Sequence, residues 1–345
     1  MSSDRPLHVL VVSNHWSVKG NSTNGSIWVD RQVNALRKIG VQVSTFDIGP
    51  EHAPLTVFRK WKELRQEVRR LQPDIVHARY GTLVGTVSVS SGARSVITYA
   101  GSDLLPGAGG ISRTRIRTGI CLSNLAALRA NALITVSDEL RRALWWRSNE
   151  TVVIPDGVDL EVFRPLPQEK AREALGWRQD EMVILIDAKR DPERKGLSIA
   201  QEAMRIVNAR FPKARLHVLH VSNPAEMPIH CNAANLFLSA SRAEGSPNMV
   251  KEAMACNLPV VSTPVGDVPD LLARVHPSAI VPRNSQAIGE AMVQILETGQ
   301  RSNGRDHCQS FNLASIARRV LGVYRSVINR RPARAGTMEA PFEPA

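Results

Sequence analysis

The chain has 345 residues, with 44 Lys and Arg against 32 Asp and Glu, which gives a formal net charge of +12. That length exceeds one ordinary hydrophobic core and suits two domains. At 43% hydrophobic and 22% charged residues the composition is that of a globular protein, and no apolar run approaches the ~20 residues of a spanning helix. The positive charge predicts a partner that carries phosphate, whether nucleic acid, anionic lipid or a phosphorylated small molecule.

The amino terminus and the cysteines bear on the cellular compartment. Residues 1–15 lack the basic start, long apolar stretch and small-residue cleavage site of a secretory signal. Cys121, Cys231, Cys256 and Cys308 are scattered, without a CxxC pair or a histidine at metal-ligand spacing. We interpret them as structural thiols in a reducing compartment, and we expect a cytoplasmic protein without a metal site.

Short apolar runs alternate with helical patterns through the first half of the chain. Strands are predicted at 7–13, 41–48, 74–80, 95–101 and 132–138. Several of these runs are continuously apolar, which indicates a parallel sheet with helices on both faces. Between the first two strands, 26–39 is predicted to be a helix because its apolar residues recur on one side.

The same alternation restarts after a turn-rich passage at 152–167, whose three prolines are typical of a crossing between domains. Strands are predicted at 182–188, 214–221, 234–241 and 258–264, with helices at 197–211 and 247–256. We therefore predict an α/β fold of two Rossmann-like, doubly wound domains that face a cleft, where ligands meet the C-terminal ends of the strands. The predicted parts are two domains, a C-terminal helix that can cross back to the first domain, and a disordered Pro/Ala-rich tail: 1–160, 161–312, 313–330 and 331–345.

The most informative stretch begins at Glu244 and reads EGSPNMVKEAMACNLPVVSTPVGDVPD. Ser246 is suited to cap a helix, and Pro247 to the first helical position, where no amide hydrogen is missed. Asn257 stands where a left-handed residue ends a helix. The helix would start directly after Glu244 and Gly245, so its first amides would form a site for phosphate or sugar hydroxyls.

Acidic and basic side chains are combined in a way that suits a ligand with both hydroxyls and phosphates. Glu252, farther along the same helix, is placed to accept hydrogen bonds from a ribose diol. Arg190 and Lys195 follow a predicted strand, and Gly196 opens the next helix. Arginine offers a planar fork for phosphate oxygens, and lysine adds a point charge, so these cations are candidates for holding a diphosphate.

These motifs resemble those of the retaining glycosyltransferases of family 4. Glu244 and Glu252 have the spacing of the E-x7-E motif, and the stretch that opens with Glu244 resembles the family signature nearly end to end. VVIPDGVDLEVFRP at 152–165 resembles the passage into the second domain, and RDPERKG at 190–196 resembles the segment that binds the donor diphosphate. The resemblance covers residues 7–325.

The resemblance implies a GT-B fold, with an N-terminal acceptor domain and a C-terminal domain for the nucleotide-sugar donor. Arg190 and Lys195 would neutralise the leaving diphosphate, Glu252 would bind ribose, and Glu244 would hold the transferred sugar. Gly25, in the first loop, would let the backbone approach the diphosphate. The other implied donor-binding residues are Gly245, Ser246, Pro247, Asn248 and Met249. The reaction would be retaining and would need no metal or cofactor, because cations and a helix dipole stabilise the departing nucleotide.

The acceptor side is less well defined by the sequence. His15 and His77 lie at or just after predicted strand ends, where a hydrogen-bonded structural histidine is the alternative. Asp103 could bind acceptor hydroxyls or cap the next turn. Family members usually have a histidine where this chain has Ala100. That departure motivates a second hypothesis, a non-catalytic sugar-binding or scaffold protein of a membrane-associated glycan assembly.

A basic amphipathic pattern at 55–72 bears on membrane contact. Its apolar stripe includes Phe58 and Trp61, and Lys and Arg crowd the remainder. Such a helix lies on an anionic leaflet or packs its stripe on the sheet, and the sequence leaves both open. A second basic cluster falls at 113–117 and 141–147. We expect a glycan or lipid-linked acceptor in cell-surface polysaccharide or glycolipid assembly, an anionic membrane surface as a further partner, and no nucleic acid, because no recognised binding module is present.

Overall fold

The computed structural model describes residues 5–14, 27–49, 53–106, 112–189, 191–220 and 224–329. Over these ranges the chain forms two parallel sheets covered by helices, so the predicted α/β class is confirmed. None of the helices in these ranges combines the length and the hydropathy needed to cross a membrane.

The first half of the chain forms a six-stranded sheet in the order β2-β1-β3-β4-β5-β6. Its strands are β1 (His8–Ser13), β2 (Gln42–Asp47), β3 (Ile75–Arg79), β4 (Ser95–Tyr99), β5 (Ala132–Thr135) and β6 (Val152–Val153). The helices between them are α1 (Ile27–Lys38), α2 (Pro54–Leu71), α3 (Thr86–Val89), α4 (Arg113–Arg129) and α5 (Asp138–Ala143).

The second half forms a five-stranded sheet in the order β11-β10-β9-β7-β8. Its strands are β7 (Met182–Ile186), β8 (Ala214–Val218), β9 (Leu236–Ser239), β10 (Val260–Ser262) and β11 (Ala279–Ile280). The helices of this part are α6 (Gln168–Leu175), α7 (Leu197–Arg210), α8 (Met227–Ala233), α9 (Asn248–Ala255), α10 (Val268–Leu272), α11 (Ser285–Thr298) and α12 (Leu313–Asn329).

The central strands are largely apolar because both faces of each sheet are covered. In β1, Val9 and Val11 enter one core cluster while Leu10 and Val12 enter another, as the two-residue period of a strand requires. The second half repeats this arrangement, with alternate residues of β7 in two separate clusters. The continuous apolar runs therefore mark central strands of a doubly covered parallel sheet.

The last helix, α12, belongs to the core of the first half. Its residues Ala317, Val320 and Tyr324 are buried in the cluster that also contains Val9 and Val33. The chain thus visits the second sheet and returns to the first. The residue bounds of the predicted domains stay a prediction.

Candidate active site

Glu244 lies at the centre of a charged cluster beyond the C-terminal ends of β7 and β9. Its Oε1 is 2.8 Å from Lys195 Nζ and 3.0 Å from Arg194 Nη1, and it accepts a hydrogen bond from Ser241 Oγ at 2.8 Å. Burial acts to raise the pKa of Glu244, but the charges of Lys195 and Arg194 outweigh that effect, and the pKa is lowered. Glu244 is therefore a carboxylate that fixes two cations at the sheet edge.

The loop that carries these cations is set by Gly196, which precedes α7. Gly196 has a φ of +74°, and a Cβ there would lie 2.3 Å from the carbonyl oxygen of Ala240. Only glycine fits this close approach in a left-handed conformation. Within the loop, Arg194 Nε also pairs with Asp191 at 3.0 Å. The turn thus holds Lys195 and Arg194 close to the end of β9.

The helix that follows Glu244 begins differently from the prediction. Its first residue is Asn248, Pro247 stands before it, and no side chain caps it, so the predicted cap by Ser246 is wrong. The physical reason is that Ser246 Oγ donates to Asp267 Oδ2 at 2.5 Å and accepts from Lys251 Nζ at 2.8 Å. At the other end Asn257 has a φ of 55°, which confirms the predicted left-handed position.

Lys251 links the loop that contains Ser246 to the passage between the halves. The side chain is fully buried, and Nζ also donates to the carbonyl oxygen of Asp156 at 2.7 Å. The Asp156 carboxylate in turn accepts from Arg79 Nη2, at the end of β3, at 2.8 Å. Burial lowers the pKa of Lys251, while the negative charges of Asp267 and Asp156 oppose the shift. No pattern in the sequence indicates this role, since a lysine on a helix is ordinarily solvated.

Glu252 lies on the same helix and pairs with the first half of the chain. Its Oε1 is 2.6 Å from Arg31 Nη1 on α1, and the two side chains are 8% and 16% exposed. Burial raises the pKa of Glu252, and the charge and hydrogen bond of Arg31 oppose that rise. Arg31, like Arg194, was not identified from the sequence. Arg194 adjoins Lys195 in the RDPERKG segment, which is the signal that could have found it.

The two halves also meet directly at the rim of the site. A Cβ on Gly245 would lie 2.3 Å from the carbonyl oxygen of Ala100, so the backbones of the two halves touch there. Close by, the amide of Gly266 donates to Glu139 Oε2, at the start of α5, at 2.8 Å. The C-terminal ends of the strands in both sheets therefore lie near the site. Ligands of open α/β folds bind in this position.

Asp103 and His77, two of the predicted acceptor-side residues, are engaged inside the first half. The buried Asp103 carboxylate accepts from the amides of Gly81 and Gly101 at 2.9 and 2.8 Å, so it braces the loops after β3 and β4. His77 is 0% exposed, with Nδ1 2.6 Å from Tyr324 Oη and Nε2 2.8 Å from Thr98 Oγ1. Burial, reinforced by the charge of Arg79, lowers the pKa of His77 well below its usual range. These contacts are the structural alternative that the sequence left open for both residues, and their contact with an acceptor stays a prediction.

Of the remaining predicted site residues, some are located by the structure and others lie outside the residues that it describes. Asn248 opens α9, and its Oδ1 is buried without a hydrogen-bond partner among the described residues. The Met249 side chain is 9% exposed and packs into the core of the second half, and a role of this residue in donor binding stays a prediction. His15, Gly25 and Arg190 lie outside the described residues. No group of three His, Cys, Asp or Glu side chains that could bind a metal occurs within the described part of the chain.

Two facing parallel sheets with a charged cleft define the GT-B class. Sucrose-phosphate synthase from Thermosynechococcus elongatus superposes with a TM-score of 0.74 at 20% identity, covering 93% of this chain and 99% of that one. Anabaena Alr3699/HepE, solved with UDP and glucose, superposes with a TM-score of 0.69 at 17% identity, covering 92% of this chain and 99% of that one. The predicted GT-B fold is confirmed.

Two family models match the sequence of the chain. Residues 9–162 match the model described as Glycosyltransferase Family 4, and residues 208–298 match the one described as Glycosyl transferases group 1. Together the two matches support a GT-B glycosyltransferase of family 4. It is 28% identical over 250 residues to TuaC of Bacillus subtilis, a protein named for glycosyl transfer in teichuronic acid biosynthesis. That match spans 66% of this chain and 62% of TuaC, less than two thirds of the relative's length.

Proposed function

We propose that the protein is a retaining glycosyltransferase that moves a sugar from a nucleoside diphosphate donor to a glycan or lipid-linked acceptor in cell-surface polysaccharide or glycolipid assembly. The observation that carries the proposal is the pairing of Glu244 with Lys195 and Arg194, at 2.8 and 3.0 Å, beside the start of α9. The similarity to HepE, solved with UDP and with UDP-glucose, supports a nucleotide-sugar donor. The similarity to TuaC supports a role in polysaccharide assembly.

The cations supply what the departing diphosphate requires. Negative charge develops on the leaving phosphate as its bond to the sugar breaks, and Lys195, Arg194 and the first amides of α9 are placed to stabilise it. Glu244 holds the two cations through Oε1, and we assign its Oε2 to a sugar hydroxyl. Glu252 would accept from the ribose. In this proposal the fixed positive charges take the place of a metal ion, so turnover persists in EDTA.

The first experiment is a thermal-shift screen of the full chain against UDP, GDP and ADP in the presence of EDTA. A ligand at ~100 times its dissociation constant stabilises a protein by about 2.7 kcal/mol. We expect one nucleotide to raise the melting temperature, and Lys195→Ala to abolish that rise. Lys213→Ala is the matched control, because Lys213 is 69% exposed and precedes β8, at the opposite edge of the sheet. The absence of a shift with every nucleotide would refute the proposal.

The stereochemical outcome is a separate test of the reaction. Once the donor sugar is identified, NMR of the product reports the anomeric configuration of the new bond. We expect the configuration of the donor to be kept. An inverted product would contradict the retaining mechanism while leaving the glycosyl transfer itself intact.

Ala100 favours one alternative, a non-catalytic sugar-binding or scaffold protein. At this position, where family members usually have a histidine, the structure places a backbone carbonyl against Gly245. No imidazole is therefore available from residue 100 to contact a bound sugar. Nucleotide-sugar binding without transfer or hydrolysis, measured by release of the nucleoside diphosphate, would support this alternative over catalysis.

We also propose that the start of α2 contacts an anionic membrane surface on the cytoplasmic side. The inner part of its apolar stripe packs on the sheet, where Leu64 is fully buried, whereas Leu55 and Phe58 are 80% and 50% exposed. Arg59, beside them, is 68% exposed. Exposed apolar side chains next to basic ones suit the boundary of an anionic leaflet.

Vesicle sedimentation tests this surface. We expect the protein to sediment with phosphatidylglycerol vesicles and not with phosphatidylcholine vesicles, and Leu55→Ser to weaken sedimentation. Leu166→Ser is the matched control, since Leu166 is 40% exposed in the second half of the chain. Equal sedimentation of the two variants would refute the proposed surface.

A further inference from the structure

The salt bridge between Arg31 and Glu252 joins residues 221 positions apart and spans the two halves of the molecule. Arg31 Nη1 is 2.6 Å from Glu252 Oε1. The guanidinium carbon lies over the ring of Phe163, 5.2 Å from its centroid. Arg31 is thus held from two sides, by an aromatic face in the passage between the halves and by a carboxylate on α9.

Glu252 depends on this partner because it is buried. The groups that act on its charge are Arg31 and Lys251, which favour the carboxylate, and Asp187, which together with burial disfavours it. Lys251 Nζ is already engaged by the Asp156 carbonyl and by Ser246. Arg31 is therefore the direct counter-ion, and its removal would leave a buried carboxylate without a hydrogen-bonded cation.

We propose that Arg31 is a positioning residue for nucleotide binding, which holds Glu252 charged and oriented so that its second oxygen, Oε2, accepts hydrogen bonds from the ribose hydroxyls. The inference rests on the proposed function, which assigns the ribose to Glu252. In this arrangement the first half contributes to ribose recognition through a carboxylate of the second half. Arg31 itself does not touch the phosphates.

The test compares ribonucleotides with their 2′-deoxy counterparts. Calorimetry on the full chain gives dissociation constants for UDP, GDP and ADP and for the same three nucleotides without the 2′ hydroxyl. We expect the wild type to prefer the ribose form of its nucleotide by about tenfold, the scale of a hydrogen bond to a charged group. Arg31→Met should lose this preference while its affinity for the deoxy form stays at the wild-type value. Arg31→Lys should keep part of it, since it retains the charge.

The pH dependence gives a second readout that a purely structural role would not produce. Without Arg31, the Glu252 carboxylate loses the charge and hydrogen bond that oppose the effect of burial and Asp187, so its pKa is raised further than in the wild type. The affinity of Arg31→Met for the ribonucleotide should then improve as the pH rises from 6.5 to 9. The wild type, whose Glu252 keeps its counter-ion, should change less over the same range.

The outcomes separate this inference from the function on which it rests. An equal loss of affinity for the ribose and deoxy forms would mean that Arg31 contacts the phosphates, and would overturn the inference alone. An Arg31→Met protein with wild-type affinity for both the ribose and the deoxy forms would also overturn the inference. A wild type that binds no nucleotide would overturn both. If Arg31→Met has a lowered melting temperature, the double variant Arg31→Met/Glu252→Gln is compared with Glu252→Gln alone. The inference requires the same ribose preference in both, because Arg31→Met should add no further loss once Glu252 is replaced.

Discussion

Gly245→Ala is the substitution for which the structure gives the sharpest expectation. The added methyl carbon would lie 2.3 Å from the carbonyl oxygen of Ala100 and 2.9 Å from its carbonyl carbon. Both atoms belong to the backbone, so neither can rotate away. Gly245 is not among the glycines with positive φ, and its backbone is one that alanine adopts. The whole effect is therefore steric and acts across the two halves.

The size of the effect follows from the overlap. The carbonyl oxygen must retreat by about 1 Å to restore an ordinary contact, and overpacking of this kind typically costs about 1–3 kcal/mol. The overlap with the Ala100 carbonyl is relieved either by a shift of the loop after Glu244 or by separation of the two halves at the rim of the site. Since each 1.4 kcal/mol corresponds to tenfold, we expect kcat/KM to fall by roughly ten- to a hundredfold.

Urea unfolding and donor turnover measure the two consequences, and Gly322→Ala is the control. Gly322 is exposed in α12, and a Cβ there would meet nothing within 4 Å. Alanine favours a helix over glycine by up to about 1 kcal/mol, so this variant should gain stability and keep its turnover. A Gly245→Ala protein with wild-type unfolding and wild-type kcat/KM would refute the contact between the halves.

Three further substitutions test the residues around the site. Burial acts to raise the pKa of Glu244, but its cationic neighbours lower it overall, so its contribution to stability is present above the unfolded pKa of about 4.3 and is lost as pH falls through the lower folded value. Urea unfolding of Glu244→Gln should therefore show a deficit at pH 7 that shrinks towards pH 3, and a constant deficit would contradict the argument. Lys251→Met should lose about 2 kcal/mol in the same assay, because it removes a buried cation that makes two hydrogen bonds; wild-type stability would show that these bonds contribute nothing. Tyr324→Phe removes the partner of His77 Nδ1 and should lower the free energy of unfolding by about 1 kcal/mol without altering nucleotide affinity, whereas a weaker affinity would return His77 to the site.

The sheets were predictable from the sequence because central strands of a covered parallel sheet are apolar on both faces. Residues 182–188, for example, contain β7 (Met182–Ile186), and the predicted strand is longer only because the apolar run passes the edge of the sheet. β6 and β11 have two residues each, too few for any period, and were not predicted. The start of α9 shows a different failure, because the capping rule is local while Ser246 takes distant partners.

The charged residues of the site also differ in whether a local sequence motif identifies them. Lys195 and Glu244 were predicted from motifs, and the structure brings them within 2.8 Å of each other. Arg31 has a partner 221 positions away, and Lys251 one 95 positions away, so no pattern along the chain connects them. Their partners follow from how the two halves dock.

The two carboxylates of the site, Glu244 and Glu252, take their partners from different parts of the molecule. The cluster around Glu244 is built by loops of the second half alone, from Lys195, Arg194 and Ser241. The partner of Glu252 comes from α1, in the first half. Separation of the halves would leave the cations around Glu244 in place but would leave the Glu252 carboxylate without its partner Arg31. Under the proposed function, the carboxylate assigned to the ribose therefore has its counter-ion only when the two halves are together, whereas the cations assigned to the diphosphate are held by the second half alone.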